Sequence, residues 1–178
     1  MKKILIVLVV FLAGYCLASI ESKTPTVTLD PIEASVDSLA TYLIGARWKC
    51  SGDGCSGAED IGRIADGIRA ASARHGLSIP LLVGVLMVED PWLDTTAVST
   101  AGAIGLYQVM PLHRGEWGCE YALETIDGSI CAGSAVLASM IKRYGDERTA
   151  LLRYNGCRSA RCEGYPRKVS IQGERLET

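Results

Sequence analysis

Eight apolar residues in a row, LLVGVLMV at positions 81–88, are what this sequence must bury before anything else. Ser78 offers a hydroxyl N-cap before the run, Pro80 suits a first helical turn, and Pro91 closes the far end. The spacing therefore predicts a helix apolar on every side. Such a helix belongs inside a bundle, wrapped by other helices. At its tip stands an acid, Glu89, and after it comes a loop studded with glycine, AVSTAGAIGLYQVMP at 97–111.

The surrounding sequence supplies the wrapping. SGAEDIGRIADGIRAASARHG repeats Ile61, Ile64, Ala65, Ile68 and Ala71 at helical spacing, and Gly76 is a C-terminal stop. Another helix is expected over Ile32 to Trp48. Ser129 to Tyr144 carries a stripe of Ile130, Ala135, Val136, Leu137, Met140 and Ile141. Asp146 reads as the N-cap of a last helix, DERTALLRYN, which Asn155-Gly156 ends. A short strand is expected near Leu106 to Val109. The fold class is mainly α, one domain with a minimal β element; 178 residues suit one domain and allow a sizeable core.

Residues 1–18 are organised differently. MKK gives positive charge, ILIVLVVFLAGYCLA is apolar, and the stretch ending at Ala18 is a small-residue cleavage site, the layout of a secretory signal peptide. Left uncleaved, Ile4 to Ile20 forms an N-terminal membrane anchor at the short edge of bilayer-spanning length. Tyr15 fits poorly before a lipid-bearing Cys16. Residues 19–31, polar and punctuated by proline, read as a linker, which leaves 32–178 as the domain. Both readings put the domain outside the cytoplasm, in the periplasm or cell envelope.

Export bears on the cysteines. Apart from Cys16 the chain has Cys50, Cys55, Cys119, Cys131, Cys157 and Cys162, an even set that reads as disulfides in an oxidising compartment. Local pairing, 50–55, 119–131 and 157–162, is the expected arrangement among those that sequence leaves open. The rival is zinc on CSGDGC and CRSARC, whose spacers are longer than those of tight zinc knuckles. No metal or cofactor is expected; His75 and His113 lack helical-spaced partners and read as a helix-end and a loop residue. The balance of 18 Lys+Arg against 20 Asp+Glu gives no electrostatic reason to expect nucleic acid.

Glu89 is the candidate for chemistry. Burial and the negative end of a helix dipole both disfavour its carboxylate, so it holds a proton longer than in water, as a general acid requires. In the loop, Gly102 and Gly105 let backbone approach a ligand, Gln108 has donors and acceptors for hydroxyls or an N-acetyl group, and Tyr107 has a flat face for a sugar ring. Tyr154 and Asn155 put polar tips at the end of an apolar run. Trp48, Trp92 and Trp117 read as core or cleft-edge aromatics.

In this order, Glu89, AVSTAGAIGLYQVMP, RYNG and YPRKV, the residues closely resemble the SLT-type lytic transglycosylase domain, related to goose-type lysozymes (glycoside hydrolase family 23). The likeness runs from about Ala71 to Val169. It implies a lysozyme-like fold and a β-1,4 cleavage of peptidoglycan between N-acetylmuramic acid and N-acetylglucosamine, ending in a 1,6-anhydro ring. By the resemblance, Glu89 is the catalytic acid and base, Gln108 contacts the sugar, Tyr154 positions the glutamate with Asn155 beside it, and Tyr165 lines the cleft. The implied partner is the peptidoglycan glycan strand, with secretion, conjugation or phage machinery around it.

Three departures from the family pattern stand out. Asp90 replaces the serine after the glutamate, which adds a charge that, if ionised, raises the pKa of Glu89 further. EDPWLDTT is one residue longer than the usual spacing, and GLMQ is GLYQ. Two other functions remain open. One is a hydrolytic muramidase with Asp90 or Asp94 as second carboxylate; the other is a non-catalytic peptidoglycan binder.

Overall fold

A computed structural model describes residues 38–45, 57–157 and 162–177. The leader, the linker, Trp48, Cys50 and Cys55 lie outside the described residues. The described chain is a bundle of helices with almost no β structure, the mainly α, lysozyme-like architecture expected. Helix α1, residues 38–45, buries Leu39 and Leu43 one turn apart.

Helix α2, Ala58–His75, begins where the Asp60 carboxylate accepts the Gly57 N–H at 2.9 Å. It ends at Gly76 in the left-handed conformation, φ 66°, a backbone shape that costs glycine little. Its buried face is the stripe read from sequence: Ile61, Ile64, Ala65, Ile68 and Ala71. Helix α3, Ile79–Glu89, is capped by Ser78, whose hydroxyl accepts the Leu81 N–H at 3.3 Å. Every residue from Leu81 to Met87 is buried, so this helix is the axis of the molecule.

Helix α4, Ile126–Tyr144, starts three residues before the expected Ser129. The Thr125 hydroxyl accepts the Gly128 N–H at 3.0 Å, and this cap organises a turn that looks like loop in sequence. Helix α5, Glu147–Tyr154, has Asp146 as N-cap, its carboxylate accepting the Thr149 N–H at 2.8 Å. It is not the last helix. Helix α6, Gly164–Glu174, follows and packs along α3. The two backbones nearly touch: a Cβ at Gly84 would lie 2.3 Å from the Val169 carbonyl oxygen, and one at Gly173 2.5 Å from that of Pro80.

Between α3 and α4 the chain folds on itself through two isolated bridges, Val98 with Ile104 and Ile104 with Val109. The strand expected near Leu106 to Val109 is thus reduced to its last residue pairing. Two cysteine pairs stand at disulfide distance, Cys119 with Cys131 and Cys157 with Cys162, with Cα atoms 5.7 and 5.8 Å apart. Both are local, as expected. Among the described residues no helix is long and apolar enough to cross a membrane, and no group of three or more His, Cys, Asp or Glu could hold a metal ion.

Candidate active site

Helix α3 carries Glu89 as its last residue, so the carboxyl leaves the core just where the helix runs out. Its Oε1 accepts a hydrogen bond from the Tyr165 hydroxyl at 2.5 Å. Burial pushes the Glu89 carboxyl above the usual carboxylate range, and the Tyr165 bond, which favours the charged form, pulls partly back. Tyr165 is itself buried on α6, and its hydroxyl is held firmly in the protonated form by burial and by the nearby Glu89 charge. A donor that never ionises therefore faces an acid that keeps its proton unusually long.

A cavity of about 400 Å³ opens at this pair, lined by Val88, Glu89, Asn155, Cys162, Gly164, Tyr165 and Lys168. Among the described residues Glu89 is the one acid in that lining. The Cys157/Cys162 pair ties the end of α5 to the start of α6, which fixes the wall that carries Tyr165. A second cavity of similar volume lies between α2 and α4, lined by Arg74, His75 and Tyr121 among others, and contains none of these groups.

Tyr165 lines the cavity, as expected of it, and it is also the tyrosine that bonds Glu89. Tyr154, expected to position the glutamate, donates its hydroxyl to the Tyr107 carbonyl at 2.7 Å. It stays near enough that the Glu89 charge raises its pKa further, after burial as the main cause. The hydrogen bond links α5 to the glycine-rich loop and so braces the site from behind.

Tyr107 is a correction. It was expected as a sugar contact, and it is fully buried. Its hydroxyl donates to the Leu82 carbonyl at 3.0 Å, and its N–H donates to the Ser129 hydroxyl at 3.0 Å. Room for the ring comes from Gly133 on α4, where a Cβ would stand 2.3 Å from the Tyr107 Cβ. The ring pins the loop beneath α3 and touches no solvent.

Gln108, next in sequence, is half-buried with φ 46°, a left-handed backbone that a non-glycine residue adopts at some cost. Its carboxamide nitrogen donates to the Ala97 and Gly105 carbonyls at 3.2 and 3.0 Å, which closes the loop on itself. Asn155 is exposed at the rim. Lys168 was overlooked as a site residue; its signal in YPRKV was its place one helical turn after Tyr165.

Asp90 and Asp94 bond within their own loop and are not in the cavity lining. Asp90 is 2% exposed, and its carboxylate accepts the N–H groups of Trp92 and Asp94 at 3.2 and 2.5 Å. Burial lifts its pKa to about 6 against the pull of those bonds. The raised pKa of Glu89 traces to burial, with no contribution from Asp90 among its causes. Asp94 accepts the Thr96 N–H and hydroxyl at 2.8 and 2.7 Å.

A helical bundle whose central apolar helix presents one proton-holding carboxyl to a cleft, steadied by a tyrosine from a neighbouring helix, defines the lysozyme-like class of glycan-cleaving domains. The Transglycosylase SLT domain family matches residues 66–166, more than half of the sequence, and the chain belongs to that family. It is similar to a protein of Enterobacteria phage PRD1 called a transglycosylase, 37% identical over 107 residues. That match covers 57% of this chain and 40% of the phage protein, so the chain spans less than half the length of this relative. No solved structure matches.

Proposed function

We propose that this domain is a lytic transglycosylase that cleaves the β-1,4 bond between N-acetylmuramic acid and N-acetylglucosamine in peptidoglycan. Glu89, as the acid, gives its proton to the glycosidic oxygen while the bond from that oxygen to the muramic C1 breaks. The resulting carboxylate then takes the proton of the muramic 6-hydroxyl as that oxygen bonds to C1. A 1,6-anhydro ring forms, the glutamic acid is restored, and no water is consumed. Tyr165 steadies the carboxylate between the two steps.

The observation that carries this reading is that Glu89 is the one acid among the described residues lining the cleft. A hydrolytic muramidase of the usual kind needs a second carboxylate to activate water or to attack C1. Of the candidates for it, Asp90 has both oxygens on backbone N–H groups, Asp94 gives one oxygen to Thr96, and neither lines the cavity that holds Glu89. Digestion of purified peptidoglycan followed by mass spectrometry tests the choice. Anhydromuramic ends, lighter by one water than reducing ends, are expected; reducing ends as the sole product refute it. Equal activity in Glu89→Gln and the parent favours a non-catalytic binder.

The site residues follow from the same proposal: Asn155, in the cavity lining, and Gln108, on the neighbouring loop, as sugar contacts, with Tyr154 as a brace. The substrate lies in the cell envelope, which supports export through residues 1–18, cleaved or retained as an anchor. It also supports oxidation of the paired cysteines to cystines. The name of the phage relative favours phage machinery over secretion or conjugation as the setting.

A further inference from the structure

Trp92 and Asp90 invert the usual rule of exposure. Trp92 is 55% exposed, while its near neighbour Asp90 is 2% exposed. Around them the loop after Glu89 is stapled on both sides. Asp90 accepts the N–H groups of Trp92 and Asp94, and Asp94 accepts the N–H and hydroxyl of Thr96. Leu93 lies between, fully buried with φ 57°, a left-handed backbone that is unfavourable for leucine and that the staples hold in place. With Leu93 anchored inward, its neighbour Trp92 is presented outward on an ordered backbone.

Trp92 is three residues beyond Glu89, so its Cα lies within about 10 Å of the acid's at the longest reach of the chain. That span is comparable with a disaccharide unit of a β-1,4 glycan. We propose that Trp92 is a stacking platform for a pyranose ring bound next to the cleavage position, and that Asp90 is the positioning residue that holds it there. The inference rests on the glycan-cleaving reading above. The C–H face of an N-acetylhexosamine is apolar and matches an indole, and an aromatic fixed before binding loses little freedom when a ring settles on it.

The same arrangement accounts for two departures from the family pattern together. A loop one residue longer has more backbone N–H groups to satisfy. A serine hydroxyl has one oxygen to offer, whereas the two oxygens of Asp90 reach two N–H groups separated along the chain.

The test is calorimetric binding of a hexasaccharide of alternating N-acetylglucosamine and N-acetylmuramic acid to Glu89→Gln protein, which binds without turnover. Adding Trp92→Ala is expected to weaken binding on the order of tenfold, the size of one good aromatic contact. Trp92→Phe should restore part of it. Asp90→Ser should cost as much as Trp92→Ala, with no further loss when the two are combined. In the active protein, Trp92→Ala should raise KM for soluble glycan strands and leave kcat within twofold or so.

Trp92 is exposed, so Trp92→Ala should melt with the parent, and its result stands even if Asp90→Ser fails to fold. Hexasaccharide affinity unchanged by Trp92→Ala overturns the platform while leaving the cleavage proposal intact. Additive losses from Asp90→Ser and Trp92→Ala overturn the positioning role. A parent protein that neither cleaves nor binds the glycan brings down both readings.

Discussion

Helix α3 delivers Glu89 and helix α6 delivers Tyr165, and the two are built on opposite plans. Helix α3 is apolar on every side and would be buried in any bundle. Helix α6, GYPRKVSIQGE, has a proline, two glycines and mostly polar side chains; its buried face is Tyr165, Val169 and Gly173, spaced four apart. The first helix is defined by its composition. The second is defined by its fit to the first, through Gly84 and Gly173, which let the two backbones meet. The proposed catalytic pair bridges this difference: an acid from the self-sufficient helix, a hydroxyl from the dependent one.

The sharpest way to break the comparison is at the acid. Glu89→Gln keeps the shape and removes the proton, and peptidoglycan cleavage should fall by at least about a thousandfold, within the usual range for a general acid. Its melting temperature at pH 7 should hold or rise, because the amide removes a charge that burial penalises. Turbidity loss of cell-wall suspensions and thermal melts read the two effects. A stable protein with full activity would remove Glu89 from the mechanism.

Next in size is the seam. Gly84→Ala and Gly173→Ala each place a Cβ within 2.5 Å of a backbone oxygen on the opposing helix. Each should cost about 2–3 kcal/mol, as overpacking does in a close-packed core. The sign is informative. Helix propensity alone predicts that alanine stabilises by about 1 kcal/mol over glycine. A higher melting temperature in either variant would show that the helices do not meet as described.

This seam also explains what could be read from the sequence. Helices α2 to α5 were legible because hydrophobic stripes and caps such as Ser78 and Asp146 are local signals. Helix α6 was not, since a glycine that serves as a contact leaves no mark in a hydrophobic pattern. Tyr107 misled for the same reason: its loop looks like a cleft wall, and only Gly133, distant in sequence, reveals the slot that buries it. Family likeness brought Glu89, Tyr154 and Tyr165 together. Which tyrosine touches the acid depended on how α6 lies against α3.

Asp90, on the α3 side of the comparison, gives a pH signature. Its pKa is raised from 3.8 to about 6, so the folded state binds this proton more tightly than the unfolded chain does. The contribution is fully present below the unfolded pKa and is lost as pH rises through about 6. The stability of the parent relative to Asp90→Asn should therefore decline on going from about pH 4 to pH 7, by on the order of 2–3 kcal/mol. Denaturant melts across that window measure it. A constant difference would mean that Asp90 is not buried as a charge.

The smallest expected effect tests whether the dependent helix tunes the independent one. Tyr165→Phe removes the hydroxyl and leaves the ring, so the packing of α6 on α3 should persist. The bond lowers the pKa of Glu89, and without it burial acts alone, so the pKa should rise. The rate should then hold to higher pH on its alkaline side, where loss of the acid form limits the parent. At its optimum the variant should be slower by about tenfold, equivalent to about 1.5 kcal/mol for one hydrogen bond to a charged group. The two parts separate the explanations. A slower enzyme with an unmoved pH profile would make Tyr165 a packing residue, whereas a profile moved to lower pH would mean that the hydroxyl bonds the neutral acid better than the carboxylate.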